Sequence, residues 1–168
     1  MWYVIWTATG REENCKKQIE NVCSPASYLR AVIPRRKVSQ KKNGIRRYVE
    51  TKLFPSYVLV ETSDVESLAM ELKNIEGFVQ VLNHEGSYMP LDEKESLMIS
   101  KLIGDGETVE ASIGYAEGDR IIITDGPLEG MESQIRYIDR HKRIAYIEMQ
   151  LFDRMTEVKV PLEIVEKL

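Results

Sequence analysis

The sequence holds little with which to do covalent chemistry. Its 168 residues include only two cysteines and two histidines. C-x-x-C, H-E-x-x-H and a Gly-rich phosphate loop with its lysine are all absent. The carboxylates are numerous, yet none sits in an apolar context that would raise its pKa. No enzyme signature is therefore present, and neither a catalytic residue nor a metal or cofactor is expected. His141 has no ligand or base partner at useful spacing, and His84 reads as a surface turn residue. No apolar run approaches the roughly 20 residues that span a bilayer. Met1 to Trp6 is apolar but short, with neither a preceding positive region nor a following cleavage site. No membrane association is expected, and the default address is cytoplasmic. Cys15 and Cys23 lie eight apart in a helical pattern, ~12 Å along the axis and too far for a disulfide, so both read as buried thiols. The net charge of -4 argues against a protein that coats nucleic acid with its whole surface.

What is present is a change of pattern along the chain. Trp2–Thr7 reads as an apolar strand. Thr9 with Glu12 fits a capping box opening a helix, on which Cys15, Ile19, Val22 and Cys23 form an apolar stripe. Leu29–Pro34 reads as a second strand. Nine basic residues follow between Arg30 and Lys52, opposed only by Glu50. Asn43-Gly44 in their midst is a strong hairpin signal. Tyr57–Glu61 is the next strand. A helix from Asp64 carries Val65, Leu68, Ala69, Leu72 and Ile75, and Phe78–Leu82 is a further strand. Asp92 with Glu95 opens a third helix carrying Leu97, Met98 and Leu102. These elements imply an α+β domain over residues 1–103, with a sheet packed on helices. Residues 104–117, glycine-containing and acidic, read as an extended, mobile linker. Residues 118–168 carry short strands at 120–124, 134–138, 144–151, 157–160 and 164–168, the pattern of a small all-β barrel.

In this order the motifs resemble the NusG family of transcription elongation factors. Trp2-Tyr3-Val4 and Leu53-Phe54-Pro55-Ser56-Tyr57-Val58-Leu59-Val60 are similar to its N-terminal domain. Gly118-Asp119 and Asp125-Gly126-Pro127-Leu128-Glu129-Gly130 are similar to the opening of its SH3-like KOW domain. The resemblance implies a non-catalytic, monomeric factor whose N-terminal domain docks on the clamp helices of bacterial RNA polymerase through Trp6, Leu53, Phe54 and Tyr57. It further implies a KOW domain that recruits a second partner, such as the ribosome or the termination factor Rho, with Phe152 at the contact. Two departures stand out. The family's common Phe-Phe-Pro-Gly-Tyr is Leu53-Phe54-Pro55-Ser56-Tyr57 here, similar to the specialised paralogues, RfaH and LoaP among them. The usual Asn-Gly of the KOW turn is Glu132-Ser133, so that turn is expected to differ if it needs positive φ. In LoaP-like antiterminators the resemblance points to an RNA hairpin in the nascent leader.

Each candidate site has a plain structural alternative. The hairpin cations Arg35, Arg36, Lys41, Lys42, Arg46 and Arg47 suit contact with DNA in the elongation complex or with polymerase; lysine and arginine also protect edge strands. Trp6, Phe54 and Tyr57 suit either an interface or a core. Arg136, Tyr137, Arg140, His141, Lys142, Arg143 and Arg154 suit either RNA or a solvated turn. The sequence is thus read as an antitermination factor whose barrel binds a structured leader RNA. A general elongation factor and a ribosome-associated KOW protein are the alternatives.

Overall fold

A computed structural model describes residues 1–77 and 79–166. Phe78, expected to begin a strand, and Lys167 and Leu168, expected to end the last one, lie outside them. The chain runs β1 (Trp2–Thr7), α1 (Glu12–Val22), β2 (Arg30–Val32), β3 (Arg35–Lys42), β4 (Ile45–Lys52), β5 (Tyr57–Glu61), α2 (Val65–Leu72), β6 (Val79–Val81), β7 (Asn83–His84), β8 (Ser87–Tyr88) and α3 (Glu93–Ile103). It continues with β9 (Thr108–Val109), β10 (Ser112–Glu117), β11 (Arg120–Asp125), β12 (Ile135–Asp139), β13 (Ile144–Leu151) and β14 (Arg154–Val165). Two compact units result. One comprises Met1–Pro34 and Phe54–Leu97; the other comprises Arg35–Leu53 and the chain from Met98 onward.

The first unit is a four-stranded sheet in the order β2-β5-β1-β6. Strand alternation sends Tyr3 and Ile5 of β1, with Val58 and Val60 of β5, into one core with Cys15, Ile19, Leu68, Ala69 and Leu72 from the helices. The stripe of α1 differs from expectation: Val22 is exposed and Glu12 is fully buried. The Thr9–Glu12 capping box does not form either. The helix starts at Glu12 itself, with Arg11 at the capping position and no side-chain cap, and Glu12 reaches across to the loop before β5 instead. The other two helix starts form as read. Asp64 accepts from the Ser67 N–H. Asp92 accepts from the Glu95 N–H at 2.7 Å and Glu95 from the Asp92 N–H at 2.9 Å. On α3, Leu97 is exposed and the buried stripe is Ile99, Leu102 and Ile103.

The second unit holds a five-stranded sheet in the order β11-β10-β14-β13-β12, the small all-β architecture expected for the C-terminal region. Ala145, Ile147, Met149 and Leu151 alternate inward on β13, against Val158, Val160 and Leu162 of β14. The two last expected strands are one. β14 pairs antiparallel with β13 as far as Pro161 and in parallel with β10 from Leu162. Proline, lacking an N–H, is tolerated where the strand changes partner. Residues expected as linker also differ: β9 and β10 lie within 104–117. Gly114, inside the segment read as a mobile linker, is closely packed. A Cβ there would lie 2.6 Å from the Ile122 carbonyl oxygen. The basic hairpin β3–β4 belongs to this unit. It pairs from Arg35↔Lys52 to Lys42↔Ile45 around Asn43-Gly44, both at positive φ, as that dipeptide demands. β9 adds to its other edge in parallel.

Candidate functional site

Two surfaces emerge, one in each unit. In the first, Thr7 donates to the Ser56 carbonyl at 2.9 Å. The next pair along the β1–β5 ladder, Trp6↔Tyr57, is therefore a non-hydrogen-bonded pair, the kind whose side chains come closest. Both rings are half-buried at the end of the sheet face that carries buried Trp2, Val4 and Leu59. Phe54 is buried, at 5% exposure, as is Leu53, the last residue of the second unit's first segment, at 6%. The turn between them and β5 is held by Tyr57 N–H on Phe54 O and by Ser56 N–H on the Glu12 carboxylate, 2.7 Å away.

In the second unit the loop between β12 and β13 carries Arg140, His141, Lys142 and Arg143. The first three are exposed. Asp139 shapes this loop by accepting from the Lys142 N–H at 2.9 Å. That bond, before the Lys142 charge, holds the Asp139 carboxyl below the usual carboxylate range. Arg143 takes φ +55 and turns back: its guanidinium donates to the Tyr48 hydroxyl at 3.0 Å and pairs with Glu163 at 3.3 Å. A bulge falls between Ile135 and Tyr137. The extra residue is Arg136, and both it and Tyr137 are exposed. Tyr137 packs its ring 5.4 Å from that of Tyr146, whereas Arg136 is 2.7 Å from Glu148. Arg154 stands apart. It begins β14 at the far end of β13, roughly 23 Å from the loop at about 3.3 Å per residue, beside the Phe152-Asp153 turn.

The hairpin cations divide. Lys41, Lys42, Arg46 and Arg47 are exposed. Arg36 is not: its guanidinium donates to the Lys159 carbonyl at 3.0 Å, and burial lowers its pKa. Arg46 donates to Ser39 Oγ within the hairpin and to the His141 carbonyl at 3.5 Å. Two basic segments about a hundred residues apart in sequence thus adjoin. Tyr48, and Lys37, which counts among the nine basic residues but not among the candidate site residues, lie on the same hairpin face as Ser39, Lys41 and Arg46. Counting alternately from the Asn43-Gly44 turn would have found them.

The Glu132-Ser133 departure is also resolved. These residues form a 3₁₀ turn, Glu132–Gln134, and Ser133 does not take positive φ.

The family model described as "Transcription termination factor nusG" matches residues 1–100. The chain belongs to the NusG family. It is 29% identical to the transcription termination/antitermination protein NusG of Bacillus subtilis, over 99% of this chain and 98% of that one. The NusG of Lactococcus lactis is 31% identical, over 99% and 92%. A solved structure titled "Domain interaction in Thermotoga maritima NusG" is 26% identical, with a TM-score of 0.59 over 95% of this chain and 92% of that one. A NusG-type transcription termination/antitermination factor is thus the shared character of fold and sequence. The position where the family's Phe-Phe-Pro-Gly-Tyr carries glycine is Ser56 here, and it takes φ +73. Positive φ is the backbone that glycine adopts without strain, and this chain carries serine there.

Proposed function

We propose that this chain is a specialised antitermination factor that holds RNA polymerase through its N-terminal region and a structured leader RNA through its β-rich C-terminal region. The observation that carries the RNA half is the loop Arg140–Arg143. Three of its side chains are exposed and basic, its backbone is set by Asp139, and exposed Tyr137 stands on the preceding strand at 60% exposure. Arginine and lysine suit phosphates, and an accessible aromatic ring suits an unpaired base. For the polymerase half, Trp6 and Tyr57 form the accessible aromatic pair, while Leu53 and Phe54 support the turn from within. Aromatic anchors of this kind concentrate binding energy at interfaces.

A protein partner for the C-terminal region is the second reading, and Phe152 favours it. Phe152 and Asp153 form a two-residue hairpin turn with φ of +56 and +62. That backbone suits Asn-Gly and is strained for a bulky residue, and such strain concentrates at functional sites.

The test is titration of the full chain with hairpin RNAs and their scrambles at two salt concentrations, beside Arg140→Ala/Lys142→Ala and Phe152→Ala. The full chain is needed because a fragment beginning at residue 118 would lose β10. Binding that prefers a hairpin over its scramble and is lost in the double variant supports the RNA reading. Weak, sequence-blind binding that falls steeply with salt is phosphate attraction alone and turns the assignment to Phe152 and a protein.

A further inference from the structure

The adjoining basic segments enclose something that phosphate binding does not need. Between hairpin and barrel lies a cavity of about 250 Å³, with Lys37, Ser39, Tyr48, Arg143, Leu162 and Glu163 in its wall. That is below the roughly 300–1,000 Å³ of drug-sized sites, and it suits a single planar heterocycle. Its chemistry is mixed. Lys37 and Arg143 donate, Glu163 accepts, Leu162 is apolar, and Tyr48 offers a ring that is 56% exposed. On the hairpin side of the cavity the register places Lys41 opposite Arg46. On the barrel side lie Arg140 and Lys142, flanking the His141 carbonyl to which Arg46 donates.

We infer that this notch, formed jointly by hairpin and barrel loop, is a nucleotide site that takes one unpaired base of an RNA loop. The flanking phosphates lie on Lys41 and Arg46 to one side and on Arg140 and Lys142 to the other. The inference rests on the RNA reading above and deepens it. A regular duplex presents phosphates on a smooth surface and has no base to place in a cavity. A loop nucleotide is already unstacked, so its face is available to Tyr48 and its edge to Arg143 and Glu163. Cations alone would attract DNA and RNA alike; the cavity is what selects a splayed base.

The experiment uses the full chain and a pool of hairpin RNAs with a common paired stem and a randomised loop, with the stem alone as a fully paired duplex. Binding is read by fluorescence anisotropy, and 2-aminopurine in the loop reports stacking. Thermal melts show that each variant is folded. The pool is expected to bind at least tenfold tighter than the duplex. Tyr48→Ala lowers pool affinity about 5- to 150-fold, the range for losing one stacked base, and abolishes the 2-aminopurine quenching. Tyr48→Phe retains most of both, since the ring stays. Lys41→Ala/Arg46→Ala reduces the salt slope by roughly one to two, one phosphate contact per cation. If Arg140→Ala/Lys142→Ala loses binding while Tyr48→Ala and Lys41→Ala/Arg46→Ala do not, the barrel reads RNA alone and the joint site is overturned. Equal binding of pool, duplex and DNA, or no binding at all, overturns the joint site and the RNA reading together.

Discussion

The carboxylate of Glu12 accepts a 2.7 Å hydrogen bond from the backbone N–H of Ser56, forty-four residues away, where the chain turns at φ +73. Glu12 is fully buried. Its acceptor holds a left-handed turn on a serine, and the Ser56 hydroxyl in turn shares a 2.5 Å hydrogen bond with Thr9 Oγ1. The pair fixes the entry to β5, and with it the Trp6–Tyr57 pair. Glu12→Ala is expected to cost about 1–3 kcal/mol, the penalty for stranding a donor of this kind. Glu12→Gln, which keeps an acceptor oxygen, costs less. Ser56→Gly stays within about 1 kcal/mol of the parent, because relief of the left-handed backbone offsets the entropy glycine brings. Ser56→Val is more damaging than either. Urea unfolding of the four variants checks the order, and a Ser56→Val protein as stable as Ser56→Gly would refute the account.

The two thiols give a pH dependence. Cys15 is pushed up to about 11, by burial first and then by the neighbouring Cys23 and Glu12. Cys23 is likewise pushed up to about 11, by burial first and then by Glu71. Both folded values lie above the ordinary value near 9, so the native state retains protons that the unfolded chain has lost. Stability from this source is complete below pH 9 and declines as pH rises from about 9 to about 11. Cys15→Ala/Cys23→Ala removes that part of the decline. In the parent, a thiol-specific reagent at pH 8 is expected to label neither cysteine until denaturant is added. Rapid native labelling is the contrary result.

Arg36 ties the hairpin to β14 through the Lys159 carbonyl. Its Nε and the hydroxyl of its cross-strand neighbour Thr51 are buried without a hydrogen-bond partner. Arg36→Ala is expected to destabilise the chain by about 1.5–3 kcal/mol, the range for a hydrogen bond to a charged group. Arg36→Met, which keeps the stem packing, loses less. Neither is expected to change the salt slope of nucleic-acid binding, in contrast to Lys41→Ala. Melting temperatures and salt titrations together separate the two roles.

Gly114→Ala places a methyl group against the Ile122 carbonyl between β10 and β11. Overpacking of this kind costs about 1–3 kcal/mol. Gly44→Ala also costs stability, through positive φ, but meets no neighbouring atom within 4 Å. Proteolysis is the discriminating readout. Gly114→Ala is expected to open the chain near β10, whereas Gly44→Ala opens only the hairpin tip.

Local chemistry was legible wherever it was self-contained. Asp92 and Glu95 cap each other three residues apart, and Asn43-Gly44 sets its own turn. The alternation of Ala145, Ile147, Met149 and Leu151 is a strand in any context. Reading failed where a residue's partner lay far along the chain. Glu12 looked like half of a capping box because its partner Ser56 is distant. Gly114 and its acidic neighbours looked like linker because the carbonyl that demands glycine belongs to β11. The strands read at 157–160 and 164–168 looked separate because the change of partner from β13 to β10 after Pro161 is invisible in sequence.

The candidate site divides in the same way. Composition and spacing by themselves determined that two segments are basic and that one is a hairpin and the other a turn, while the likeness of its ordered motifs pointed to the NusG family. Only the tertiary structure decided that Arg36 packs inward while Lys41 and Arg46 face out, that Arg154 is remote from Arg140, and that Tyr48 meets Arg143. Periodicity and turn propensity act within a few residues, so a sequence displays them directly. The meeting of Tyr48 and Arg143 depends on strand register and on which sheet edges pair, and those are settled by the burial of Leu162, Ile147 and their neighbours across the whole unit.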